Sequence, residues 1–143
     1  MTVDEDPELL LVRRARLEEV AELARDCHAE QLAAYGREAE PALPSGAVVW
    51  IALEGRQPVG YAVARLRPDG ATVGPVYTVP AARRRGVGVR LLDSIQAWAA
   101  ETAVPIVEVS VDVDNEAGLA FLRALGYRPR RLLLSLRPDG DPA

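Results

Sequence analysis

The sequence predicts an α/β protein of the α+β type, in which a meander of strands is followed by helix, strand and helix. Three observations carry this. Runs of β-branched and apolar residues at 47–53, 59–66 and 71–79 are separated by turn chemistry, EGRQ and RPDG. After Pro80 the apolar period changes to about 3.6. A strictly alternating segment, VPIVEVSVDV, then precedes a second helical pattern.

Taken in order, Leu9 to Val12 reads as a short strand. The following segment, RARLEEVAELARDCHAEQLAAY, places Leu17, Val20, Ala21, Leu23, Ala24 and Cys27 on one face of a helix. Gly36 and PALPSG (Pro41 to Gly46) end it in a loop. AVVWIAL and PVGYAVARL form a hairpin, with Val59, Tyr61 and Val63 on one face and Gly60, Ala62 and Ala64 on the other. ATVGPVYTV is the next strand. Its Gly74-Pro75 step predicts a bulge or splay, because proline cannot donate to a ladder.

Gly88, Leu91, Leu92, Ile95, Trp98 and Ala99 make the stripe of an amphipathic helix, with Arg90, Asp93, Gln96 and Glu101 off it. Val107, Val109, Val111 and Val113 alternate with Glu108, Ser110 and Asp112 in a strand. Asp114-Asn115 caps a helix with Gly118, Phe121, Leu122 and Leu125 inside, and Gly126 stops it. RRLLLSL is expected to be a final strand and RPDGDPA a frayed tail. One domain, 1–143, with a core over about 9–137, accommodates all of this.

Composition removes several mechanisms. Cys27 is the only cysteine and His28 the only histidine, so a disulfide within the chain is excluded and no metal site is expected. All 17 basic residues are arginine. Without lysine there is no Walker A motif and no Schiff base. A Ser-His-Asp site would have to use His28, with no G-x-S-x-G element beside it. No apolar run is long enough to cross a bilayer and the acidic MTVDEDPE start is unlike a signal peptide, so no membrane association and a cytoplasmic location are expected. With net charge −4, nucleic acid is not an expected partner. Residues 1–60 hold 12 acids against 6 arginines and residues 61–143 hold 9 against 11, so the positive charge is local and suits a small anion.

That charge is concentrated at Arg83-Arg84-Arg85, directly before Gly86-x-Gly88 at a helix start. A helix start offers unpaired N–H groups and a positive dipole end, glycine allows close approach, and arginine adds charge-assisted bonds. The stretch is a candidate pyrophosphate cradle.

The pattern Pro80-x-x-Arg83-x-x-Gly86-x-Gly88, followed by Leu91-Leu92, resembles the acetyl-CoA-binding motif of the GNAT superfamily of N-acetyltransferases. VEVSVDVDNEAGLAFLRALGY is similar to the later strand and helix of that family, with Asn115 opening the helix and Leu125-Gly126-Tyr127 closing it. The resemblance implies a mixed, mostly antiparallel sheet with splayed central strands flanked by helices. It further implies acetyl-CoA as cosubstrate, bound by Tyr77, Thr78, Val79, Arg83, Arg84, Arg85, Gly86, Val87, Gly88, Val89 and Asn115. Thr78 or Val79 would offer an N–H to the oxyanion. The activity implied is acetyl transfer to an amine of a small molecule or peptide by direct attack on the thioester, in a homodimer. The alternative is a non-catalytic acyl-CoA-binding or regulatory module.

The match departs in two places. Leu122 stands where the family often has a proton-donating Tyr, leaving Tyr127, Ser110 or a water for that task. Gly70 to Val79 contains no carboxylate, so Glu108 and Asp112 become the candidate bases, ahead of Tyr77 and His28. The acidic N-terminal half favours a cationic acceptor drawn to Glu30, Glu38 or Glu40.

Overall fold

The computed structural model describes residues 9–35 and 46–140. Glu38, Glu40 and most of the loop around them lie outside the described residues. The chain divides after Ser110 into two compact units.

The first unit carries a sheet of five strands in the order β1-β2-β3-β4-β5. They are β1 (Leu10–Ala15), β2 (Val48–Glu54), β3 (Gln57–Arg67), β4 (Gly70–Thr78) and β5 (Val107–Val109). The first four form an antiparallel meander, and β5 joins β4 in parallel. Helix α1 (Ala21–Tyr35) follows a 3-10 turn over Leu17–Val20, and α2 (Val87–Glu101) follows one over Pro80–Ala82.

The alternation of β3 explains how two helices share one sheet. Its large residues, Tyr61 and Val63, join Val49, Ile51 and Tyr77 in a core with Val20, Leu23 and Cys27 of the α1 segment. The opposite face is made of Gly60, Ala62 and Ala64, all buried, and leaves room for the bulk of α2: Val87, Leu91, Leu92 and Ile95. At Gly60 the approach is closest, since a Cβ there would lie 2.7 Å from the Tyr77 carbonyl oxygen and 3.0 Å from Val87 Cγ1. Trp50, on the same face, meets Trp98 edge to face at 5.5 Å.

The start of α1 is fixed electrostatically. Glu19 accepts from the Arg16 amide at 2.8 Å and from Arg13 at 2.9 Å. The Arg13 guanidinium, then the Arg16 amide, hold its carboxyl down to about 2.

Gly74-Pro75 forms a bulge, as expected. Val63 faces both residues, because the β3–β4 register steps by one between Ala62↔Val76 and Ala64↔Val73. The peptide bond between them is cis. Pairing to β5 covers Ala71, Thr72 and Val73, so among the described residues β4 is flanked on both sides at its start and on one side beyond the bulge.

The second unit contains α3 (Glu116–Ala124). The Asn115 side chain accepts from the Gly118 amide at 2.9 Å, and the Cβ of any residue but glycine at 118 would collide with it. At the other end Gly126 (φ +96°) closes the helix, with Tyr127 N–H on the Leu122 carbonyl and Gly126 N–H on that of Arg123.

Two expected strands differ. The strand expected to run to Val113 stops at Val109; Asp112 Oδ1 instead accepts the Asp114 amide, a local turn that competes with a ladder. The segment RRLLLSL is not a strand, and Leu132, Leu133, Leu134 and Leu136 are exposed. Its leucines lack alternation with polar residues, and among the described residues the second unit has no strand to pair with it.

Candidate functional site

The open end of β4 is the first part of the site. In an antiparallel pair, residues facing each other alternate between exchanging hydrogen bonds and turning their backbone groups outward. Val79 donates to the Val59 carbonyl at 2.9 Å, which places Tyr77 with Tyr61 in the bonded phase and Val76 and Thr78 in the outward phase. Their N–H and C=O groups therefore point to the edge that β5 does not reach. Of the two amides expected to face the oxyanion, that of Val79 is bonded within the sheet and that of Thr78 faces outward.

The second part is the turn into α2. Its φ values alternate in sign: Arg83 −68°, Arg84 +67°, Arg85 negative and Gly86 +80°. Two left-handed residues so close together make a tight turn directly before the helix start. A left-handed arginine is costly, of order 1–2 kcal/mol, and so marks a conformation imposed by its surroundings. The first helical bond is Arg90 N–H to the Gly86 carbonyl, so the amides of Val87, Gly88 and Val89 precede it at the positive end of the helix.

The three arginines do different things. Arg83 donates from Nε to the Thr78 carbonyl (2.9 Å) and from Nη2 to Glu30 (2.5 Å), with its guanidinium 5.8 Å from the Tyr77 ring centre. Arg85 bonds Glu54 at 2.9 Å and the Ala81 carbonyl at 3.3 Å. Arg84 is exposed. Carboxylates from α1 and β2 thus relieve the repulsion within the run. These partners lie 53 and 31 residues away, too far for any local pattern to reveal them.

Tyr77 is buried and donates to the second oxygen of Glu30 at 3.3 Å. Burial first, then the charge of Glu30, raises its hydroxyl pKa, so the phenol stays a donor. Behind it Cys27 is buried beside Tyr61, and burial pushes the thiol pKa up. Cys27 is a core residue and not a nucleophile.

Glu108 does not join this cluster. It pairs with Thr72 in the ladder and bridges to Arg67. Six residues of strand separate Thr72 from Thr78, roughly 20 Å at the usual rise. Glu108, expected as a candidate base, therefore stands apart from the Glu30, Tyr77 and Arg83 cluster. In the second unit, Asp112 accepts the Asp114 amide at 3.2 Å, and Tyr127 lines a small pocket with Arg123, Gly126, Arg128 and Pro129. Leu122 is buried, as its helical spacing predicts. No cluster of His, Cys, Asp and Glu suited to a metal ion occurs among the described residues.

The comparisons with known proteins agree with this fold. Over 81 residues, 57% of its length, the chain is 41% identical to the mycothiol acetyltransferase of Clavibacter michiganensis subsp. michiganensis, and the match covers a quarter of that relative. Among solved structures it resembles a transcriptional regulator from Bacillus halodurans C-125 (21% identity, TM-score 0.70, 90% of this chain and 99% of that one). It also resembles AAC(6')-Iy in complex with the bisubstrate analog CoA-S-monomethyl-acetylneamine (16%, TM-score 0.70, 90% and 97%). The family model described as acetyltransferase (GNAT) matches residues 17–127, covering α1, strands β2 to β5, α2 with the turn before it, and α3, and the chain belongs to that family.

Proposed function

We propose that the chain transfers the acetyl group of acetyl-CoA to an amine of a small molecule or peptide, by direct attack of the amine on the thioester. The observation that carries this is the meeting of two features: an outward-facing strand edge at Val76 and Thr78, and a tight turn through Arg84 and Gly86 opening α2.

In this reading the pantetheine arm adds to the β4 edge as a short strand, and the pyrophosphate is received by the amides of the turn and the helix start. The Thr78 N–H stabilises the oxyanion as nitrogen bonds to the carbonyl carbon. The C–S bond then breaks and the thiolate leaves with the sulfur electron pair. The amine proton passes to a base and the thiolate takes up a proton, roles for which the sequence offers Asp112 and Tyr127. Positioning two substrates together supplies much of the rate.

The test is a thermal-shift titration with acetyl-CoA, with ATP as control, followed by thiol release from acetyl-CoA across a panel of primary amines. The midpoint should rise with acetyl-CoA, reaching about 2.7 kcal/mol of added stability at a hundredfold excess over Kd, with little response to ATP. Binding without thiol release for any amine would favour the acyl-CoA-binding module. No shift at millimolar acetyl-CoA would remove both readings.

A further inference from the structure

Arg83 occupies the motif position expected to meet the anion, yet its guanidinium is directed elsewhere. Nε holds the Thr78 carbonyl, Nη2 holds Glu30, and Glu30 takes the Tyr77 hydroxyl on its other oxygen. The two bonds of Arg83 leave from two different nitrogens in a fixed fork, an arrangement that a lysine ammonium cannot copy. Thr78 turns both backbone groups to the open edge: the clamp takes its carbonyl and leaves its N–H outward. The next amide, Val79, is tied to Val59, so the peptide after Thr78 is held from both sides.

We infer that Glu30 and Arg83 are positioning residues for acetyl transfer, acting through the Thr78 carbonyl to aim the Thr78 N–H at the thioester oxygen, with Arg83 not serving as a pyrophosphate ligand. This rests on the acetyl-CoA reading above and assigns to α1 a part in the chemistry of β4. Tyr77 is the second anchor of the same carboxylate, so the residues on both sides of the 77–78 peptide are fixed through Glu30. The acidic residue first read as an attractor for a cationic acceptor is committed to the strand and the cradle.

The experiment uses acetyl-CoA labelled with ¹³C at the thioester carbonyl, its Kd and its bound C=O stretch being measured for the full chain and for Glu30→Gln, Arg83→Gln and Arg83→Lys. In the wild type the stretch should fall on binding, because a hydrogen bond polarises the carbonyl. In all three variants it should return toward the free value while Kd changes by less than about threefold. The double variant Glu30→Gln/Arg83→Gln should do no more than either alone, since both act through one clamp.

Three results would overturn the inference. One is a Kd weakened about tenfold or more in Arg83→Gln with the stretch unchanged, which would make Arg83 an anion ligand. Another is a wild-type stretch that does not move on binding. The third is full recovery by Arg83→Lys, which would mean that charge suffices without the fork. Failure of the wild type to bind acetyl-CoA at all would instead remove the acetyl-CoA reading itself, and is recognised by the absence of any Kd.

Discussion

The two halves of β4 have the same strand on one side and different neighbours on the other. From Gly70 to Val73 the outward groups meet β5, with the Ala71 amide on the Ile106 carbonyl at 2.9 Å. From Val76 to Thr78 the same kind of group faces an edge that no described strand covers. The bulge at Gly74-Pro75 separates them and shifts the phase, so that odd-numbered residues look outward before it and even-numbered residues after it. Identical backbone chemistry is therefore spent on the fold at one end and left open, among the described residues, at the other.

The largest test of that contrast is one substitution made at both ends. Ala71→Pro deletes a donor that the sheet uses and should cost on the order of 3 kcal/mol, read as a lower denaturant midpoint. Thr78→Pro deletes a donor pointing away from β3, so its cost in stability should stay below about 1 kcal/mol. Its effect should appear in chemistry: thiol release from acetyl-CoA with an accepted amine should fall about 10²- to 10³-fold, the usual loss for one oxyanion donor. Equal destabilisation by the two prolines would break the comparison. So would a normal rate in Thr78→Pro.

Adding a Cβ at both ends gives a smaller effect of the same form. At Gly70 it would lie 2.6 Å from Ile106 Cγ2 and 2.8 Å from its carbonyl oxygen; at Gly60, 2.7 Å from the Tyr77 carbonyl oxygen. Gly70→Ala and Gly60→Ala should each cost about 1–3 kcal/mol, the range for overpacking. Only Gly60→Ala should also weaken acetyl-CoA binding. The carbonyl it displaces shares a peptide with the Thr78 amide, and the second contact, Val87, is the first residue of α2. Matching acetyl-CoA thermal shifts in the two variants, measured against each apo midpoint, would show that the α2 start and the strand edge are not coupled through Gly60.

What could be read from sequence follows the range of the interaction. The stripe of α2, the capping residue Asn115 and the Gly86-x-Gly88 start are written within a few neighbours, and so is the bulge, because proline removes its own donor. The clamps on the arginine run depend on Glu30 and Glu54, which meet Arg83 and Arg85 only after the sheet has formed. The choice between Thr78 and Val79 turns on ladder phase, which a one-residue bulge inverts. A seven-residue alternation overstated β5 because a strand lasts only while a partner does, and β4 turns out of register after Val73.

Glu108→Gln is the smallest change and tests the closed end alone. Glu108 lies opposite Thr72 and bridges to Arg67, with both side chains partly open to water. Screening and side-chain entropy limit such a pair to about 0–1 kcal/mol, so the variant should lose no more than that in stability. Its acetyl-CoA shift and its rate of thiol release should equal those of the wild type across pH if the thioester binds at Thr78, because Glu108 lies opposite Thr72 at the other end of β4. A pH–rate profile that loses its acidic limb in Glu108→Gln would mean that this carboxylate takes the amine proton. The division of β4 into a structural half and a chemical half would then have to be redrawn with the reacting carbon beside Thr72 instead of Thr78.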